Sequence, residues 1–530
     1  MSYDLIVVGA GSAGCVLAAR LSEDPARRVL LLEAGPSDDS TLIRMPAGVA
    51  RAIASPRFNW HYHTEPQAHM DRRRIYWPRG RVVGGSSSIN ALVFVRGQAS
   101  DYDAWRDSGC PGWGWSDVLP FFRNMETNAR GPDEWRGGSG PLHVSDAESG
   151  NPIFAAFIEA GRQAGYPVCA DFNGKRCEGF GHFQLNIRDG ERWSAARAYL
   201  DPARDRPNLK VRTGAFVTGL ALDGTRCIGV RCSDGRGEEV ISSGEVILSC
   251  GTINTPQLLM LSGIGPADHL RGHGIAVVAD LPEVGSNLQD HLEVKVKHRG
   301  LLPVSMWTHA KFPNYLWTGL QYLALRRGAG RQQGLEAGAF IRLDPTATAP
   351  DTQLHFINAL AFDGATAADR GHGFAIDTTQ LKPESRGTIR LKSANPAAHP
   401  RIDPNYLATE TDQRVMRDGL KVLRHICAQA ALVPYVGEEL RPGAAVVSDD
   451  GLDALVRATA DSIYHPVGTC RMGSDESAVV DPKTTRVIGI DGLRIVDASI
   501  MPTLVSGNTN GPTIMIAERA AALILDDRGA

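Results

Sequence analysis

The sequence predicts an α/β protein in which a helix-wound parallel sheet is interleaved with an α+β unit built on an antiparallel sheet. Three observations predict it. Residues 1–35 spell one complete strand–helix–strand unit. Two later stretches, 245–265 and 495–527, repeat the order of buried strand, polar or glycine loop, and helix. From about 303 to 458 the character changes to alternating segments such as "GTIRLKSANP", with more Pro, Ala and Arg, as antiparallel strands require.

The first unit is the most legible. "YDLIVV" is an apolar run of the kind a strand buried on both faces needs. "GAGSAG" follows and sets Gly9, Gly11 and Gly14 in the spacing GxGxxG, with Ser12 and Ala13 between them. "AGCVLAARLSED" reads as a helix and "RVLLLEAG" as a second buried strand ending in Glu33. In this Rossmann-type arrangement Gly9 permits the tight turn, Gly11 admits a pyrophosphate to the backbone, and Gly14 lets helix and strand pack closely. Glu33 stands where an acid binds a ribose hydroxyl. The unit predicts a bound dinucleotide and leaves NAD and FAD open. The other glycine-rich candidate, "RRGAGRQQG" at 327–335, follows no buried strand and reads as a flexible loop. One dinucleotide site is therefore expected.

Further along, "WPRGRVVGGSSSINALVFVRG" (77–97) interrupts two apolar stretches with Gly-Gly and three serines, a loop whose backbone N–H groups can line a polar ligand. In 245–265 the strand "EVILS" leads to a glycine and then to a helix opening near Thr255-Pro256, where proline suits a first turn. "VVDASIMP" (495–502) reads as another buried strand, running into a polar loop and the helix "PTIMIAERAAALILDD". The aromatic stretch 306–323 has the composition of a substrate lid or an interfacial helix, but packing against the core is the simpler expectation.

Size and composition narrow the functional classes. A chain of 530 residues exceeds one hydrophobic core, so two units are expected. With 43% apolar and 22% charged residues it is an ordinary globular chain, and a net charge of −3 points to no nucleic-acid partner. Nine cysteines without a CxxC argue against a disulfide framework or structural zinc. No signal peptide and no uncharged apolar run near the ~20 residues of a membrane span is evident, so a cytoplasmic protein is expected.

His465 lies in "IYHPVGTC", stiffened by Pro466, and Asn508 lies in "SGNTNGPT". A metal would need three or four ligands, yet only Cys470 is close to His465 in sequence and no HExxH exists; the metal expectation is none. A serine-hydrolase reading fails for want of a GxSxG elbow. On its own, a lone histidine such as His465 is more often structural than catalytic. A helix cap is the lesser reading for Asn508, because Asn510 and Thr513 stand nearer to the following helix and could cap it.

Six segments in order, "GAGSAG…LLEAG", "GRVVGGSSSINALVFVRG", "TINTPQLLMLSGIG", "VGSNLQDH", "YHPVGTCRMG" and "VDASIMPTLVSGNTNGPTIMIAE", resemble the signatures of the glucose–methanol–choline (GMC) oxidoreductases, from residue 4 to about 525. Within that family the chain is most similar to bacterial dehydrogenases of aliphatic alcohols and of choline. The resemblance implies FAD in the single dinucleotide site and oxidation of a primary alcohol to an aldehyde. His465 would take the hydroxyl proton, Asn508 would orient the substrate oxygen, and the hydride would pass to flavin N5. It also implies that Val83, Gly84, Asn90 and Val93 belong to the segment around the flavin ring, that Val217 lies near the adenine, that Asp497 and Ala498 lie by the phosphate–ribityl chain, and that Asn510 touches the cofactor. Some members attach FAD through a histidine at the position of Ile89, so non-covalent FAD is expected. Electrons would go to a quinone, a dye or another non-nicotinamide acceptor, with peripheral contact at the inner membrane as a corollary. An O₂-using oxidase and a choline dehydrogenase are the alternatives within the family, and a lyase of the same fold a remote one. The implied layout is cofactor-binding at 1–155, 207–302 and 459–530, and substrate-binding at 156–206 and 303–458.

Overall fold

The computed structural model describes residues 3–147, 149–235, 237–360 and 370–527. Residues 361–369, inside the expected substrate unit, and 528–530, at the end of the last cofactor segment, lie outside that description.

The strand–helix–strand unit forms as the sequence predicts. Tyr3–Val8 and Val29–Glu33 pair in parallel, with the helix Ser12–Leu21 between them. Every residue of Val29–Glu33 is buried, which explains its unbroken apolar run. The sheet runs Leu209–Thr213, Val29–Glu33, Tyr3–Val8, Glu238–Leu248, then antiparallel through Arg226–Ser233 to Phe216–Asp223. Leu493–Ile495 joins Glu238–Leu248 in parallel on its far side. Parallel strands buried on both faces need helices over them, and Ser12–Leu21 packs against Asn510–Asp526.

A second sheet is antiparallel throughout. Its order is Val436–Arg441, Leu292–Gly300, Gly373–Gln380, Thr352–Ile357, Ala337–Ile341, Gly179–His182, with Asp461–Ser462 also paired to Leu292–Gly300. The helix Glu410–Cys427 covers one face, capped by the Thr409 hydroxyl accepting from the Asp412 N–H. Leu292–Gly300 lies in this sheet, although the sequence grouped it with the cofactor-binding stretch 207–302.

Three local expectations are corrected. The helix expected to open at Thr255-Pro256 begins at Gly251, so Pro256 sits inside it. Proline there removes the N–H that would bond the Thr252 carbonyl, and the Thr469 hydroxyl donates to that oxygen instead, at 2.6 Å. The strand read at 495–502 is Leu493–Ile495, followed by the 3₁₀ turn Ala498–Ile500. The segment 306–323 does not pack its apolar residues inward: in the helix Asn314–Leu325 only Tyr322 is buried.

Candidate active site

The two sheets wall a cavity of about 330 Å³, within the range of cofactor and ligand pockets. At one end lie the edges of the parallel strands. Three helix N-termini open onto it there: Ser12–Leu21, Gly251–Leu261 and Asn510–Asp526. The N–H groups opening the helix Ser12–Leu21 carry partial positive charge and suit a phosphate, whereas the Gly251 N–H is already taken by Asp497. A Cβ on Gly11 would meet nothing nearer than the Ser249 carbonyl at 3.9 Å, which leaves the backbone open to a ligand. Gly85, from the Gly-Gly-Ser loop, closes over Gly11: a Cβ there would stand 2.6 Å from Gly11 Cα.

Of the residues singled out from sequence, Gly9, Gly11, Ser12, Ala13, Glu33, Asn90, Val93, Val217, Asp497, Ala498, Asn508, Asn510 and His465 all line this cavity. Gly14, Val83 and Gly84 stand behind it. A Cβ on Gly14 would overlap the Gly9 carbonyl, and Gly84 donates its N–H to Ala10 O at 2.7 Å. Glu33 accepts from the Ala10 and Gly35 N–H groups. Burial pushes its carboxyl up to about 7, against the pull of those two donors. Asp497 accepts from the Gly251 and Ser499 N–H groups and from the Thr255 hydroxyl, which fixes the start of the Gly251 helix. Asn510 accepts from the Ser12 hydroxyl at 2.8 Å, tying two of the helix N-termini together.

His465 is held from three sides. Its N–H donates to Asp290 Oδ1 at 2.7 Å, the Tyr464 carbonyl accepts from Arg79, and the Pro466 carbonyl accepts from the Thr252 hydroxyl. Asp290 also accepts from Ser462 and Tyr406. The imidazole is placed between two neighbours. His465 Nδ1 lies 3.1 Å from His291 Nδ1, and His465 Nε2 lies 3.3 Å from Asn508 Nδ2. His291 Nε2 is 3.3 Å from the Leu381 carbonyl, which can only accept, so His291 carries its proton on Nε2. His291 Nδ1 is then a lone pair, and His465 must donate to it from Nδ1. That leaves the lone pair of His465 on Nε2, toward Asn508 and the cavity. Burial pushes His465 well below the ordinary imidazole value, and His291, itself held down to about 3 by burial, adds to the effect. Both rings are neutral at pH 7.

The antiparallel sheet supplies the wall opposite the strand edges. Gln353, His355 and Ile357 alternate along one strand and so share a face. Gln353 donates to Asn508 Oδ1 at 3.3 Å, which turns the amide's N–H₂ toward His465. His355 is in register with Asp377, and Asp377 with Lys295. His355 Nδ1 and Asp377 Oδ1 are 2.9 Å apart, and Lys295 pairs with Glu293 at 2.6 Å. Sequence reasoning assigned none of His291, Asp290, Gln353, His355, Asp377 or Glu293. The quoted "VGSNLQDH" contained His291 and Asp290, and the period-two polar positions in "TQLHFI" were the signal for Gln353 and His355.

The chain is similar over nearly its whole length to proteins of one family. Two profiles of the GMC oxidoreductase family match residues 3–293 and 383–517. The chain is 49% identical to the mitochondrial choline dehydrogenase of Homo sapiens, over 98% of this chain and 89% of that one. It is 44% identical to the oxygen-dependent choline dehydrogenase of Brucella melitensis, over 99% and 96%. Among solved structures it is similar to pyridoxine 4-oxidase from Mesorbium loti (TM-score 0.90, 34% identity, 99% of both chains). It is also similar to the FAD-containing formate oxidase of Aspergillus oryzae RIB40 (TM-score 0.94, 27% identity, 100% and 99%). The helix N-terminus left open at Gly11, the acid at the end of the second strand and the cavity between the sheets fit FAD. The chain belongs to the glucose–methanol–choline oxidoreductases and is an FAD-dependent oxidoreductase acting on CH–OH groups.

Proposed function

We propose that His465 and Asn508 are the catalytic pair for oxidation of a primary alcohol to its aldehyde. The observation that carries the assignment is the lone pair of His465 Nε2 facing the Asn508 amide on the cavity wall. The Asn508 amide donates to the substrate oxygen and fixes its direction. His465 Nε2 takes the hydroxyl proton, which a neutral imidazole can do at pH 7. As charge builds on that oxygen, the amide and the new imidazolium both face it. Bound FAD supplies the acceptor for the hydride from the adjacent carbon. Gly9, Gly11, Ser12, Ala13, Glu33, Asn90, Val93, Val217, Asp497, Ala498 and Asn510 line the cofactor's path, with Gly14, Val83 and Gly84 shaping the loops behind them. Ile89, also on the wall, has no nucleophile, which supports non-covalent FAD. The segments 1–155, 207–302 and 459–530 form the cofactor unit, less the strand Leu292–Gly300. The segments 156–206 and 303–458 close the substrate end.

One dinucleotide-binding unit supports a non-nicotinamide acceptor, for which a quinone is the proposal, with peripheral contact at the inner face of a membrane. Choline is the second reading for the substrate. It is favoured by the carboxylates of Glu293 and Asp377 on the cavity wall and by the choline dehydrogenases among the relatives.

The test follows the yellow absorbance of purified protein under anaerobic conditions. Bleaching by a medium-chain primary alcohol supports the first reading, and bleaching by choline alone the second. Rapid return of colour in air would replace the quinone by O₂. A yellow protein that neither substrate bleaches would overturn the alcohol assignment.

A further inference from the structure

The helix Asn314–Leu325 is inverted. A helix on a water-soluble surface turns its apolar stripe toward the core and its polar face outward. Here Asn314, Thr318, Gln321 and Tyr322 occupy the protected side. The outward side carries Leu316, Trp317, Leu320 and Leu323, each more than half exposed, with Phe312 just before the helix at 75%. Burying such a face against something other than water is favourable, in proportion to the apolar area covered. Single exposed leucines need no explanation, but one contiguous face of this kind marks an interaction surface.

The charge around the face selects the occupant. The sequence has no Asp or Glu between Glu293 and Glu336. Lys311 and Arg327 flank the two ends of the helix, are exposed, and have no ion pair among the described residues. Arg326 is already paired with Glu191 at 3.0 Å. A second copy laid on the same face would set these cations against their own counterparts, with no acid in the segment to relieve them. A bilayer with anionic headgroups matches both features: tryptophan and leucine enter the acyl boundary while the flanking cations meet phosphate. No described helix is long and apolar enough to cross a membrane, so the contact is in the plane of the interface.

The face also adjoins the site. The 3₁₀ turn Gly328–Arg331 packs on this helix and on the turn Pro46–Gly48. The chain leads from those turns straight into the cavity wall at Leu335 and Ile53. We infer that the helix Asn314–Leu325, with Lys311 and Arg327, docks the enzyme on an anionic lipid surface, so that an acceptor dissolved in the bilayer meets the cavity there. The docking surface stands on the helix alone. Its use for electron delivery rests on the quinone reading above.

The experiment floats the FAD-loaded enzyme with vesicles of phosphatidylcholine and of phosphatidylcholine mixed with phosphatidylglycerol. The wild type should rise with the anionic vesicles. The variant Leu316→Ser/Trp317→Ser/Leu320→Ser should stay behind while keeping its flavin and its turnover with a water-soluble dye. Lys311→Glu/Arg327→Glu should weaken binding to the anionic vesicles by about an order of magnitude or more, since each surface cation accounts for roughly fivefold. A wild type that floats with neither vesicle would overturn the proposal. So would a triple variant that floats as well as the wild type, or a wild-type dimer that the triple variant dissociates. Vesicle binding without turnover of a lipid-soluble quinone carried in the vesicles would keep the docking surface and remove the quinone.

Discussion

A histidine accepts a proton only through the nitrogen that does not already hold one, and that choice is made outside the ring. Here the Leu381 carbonyl sets His291, His291 sets His465, and the free lone pair faces Asn508. His465→Ala should therefore keep FAD bound and lower the rate of anaerobic flavin bleaching by about 10²-fold or more. Bleaching at the wild-type rate would remove His465 from the chemistry. His291→Ala should leave the base in place but free its tautomer, reducing turnover without loss of flavin, whereas His291→Gln can still accept from His465 and donate to Leu381. Equal damage from both variants would argue for a purely structural His291. The pH profile follows from the same burial. Because His465 is held below the ordinary imidazole value, its base form persists as pH falls through 6.5. The acid limb of kcat/KM should thus lie below 6.5, and a limb at or above that value would contradict the neutral, buried ring.

Elements form for local reasons except where a distant group makes an irregular one tolerable. The first strand–helix–strand unit was legible because its pattern is contained in 33 consecutive positions, from Tyr3 to Gly35. The start of the helix Gly251–Leu261 was not, because Pro256 inside it is made tolerable by the Thr469 hydroxyl, 217 residues from the Thr252 carbonyl it serves. Thr469→Val keeps the shape and removes that donor, leaving the buried Thr252 carbonyl without the group that replaced the missing N–H. The expected cost is about 1–3 kcal/mol of stability, read as a lower thermal midpoint. An unchanged midpoint would mean that the carbonyl finds another donor. The helix Asn314–Leu325 was misjudged for a related reason. Periodicity identifies an apolar face but not the side on which the protein lies, and here the protein lies on the other one.

The cavity belongs to the whole molecule, because neither sheet encloses it alone. Gly9, Glu33 and Asp497 reach it from the parallel sheet and its loops, while Glu293, His355 and Asp377 reach it from the antiparallel one. This is also why the site was only half legible. His465, Asn508 and the glycine loop carry recognisable local patterns, but the row His355, Asp377, Lys295 exists only through the register of three strands drawn from positions 292 to 380. A ligand lying along such a cavity binds groups from both sheets at once and binds the unfolded chain not at all. Mass action then requires FAD to stabilise the fold, by roughly 2.7 kcal/mol when free FAD is a hundred times its dissociation constant. Stripping the cofactor should lower the thermal midpoint, and adding FAD back should restore it in proportion to the logarithm of its concentration. The antiparallel sheet should respond together with the parallel one, since both wall the cavity. Hydrogen exchange in Thr352–Ile357 and Gly373–Gln380 should therefore quicken on FAD removal alongside that in Tyr3–Val8. If only the parallel sheet responds, the cofactor is held by one unit, and the wall of His355 and Ile357 serves the substrate without sensing the flavin.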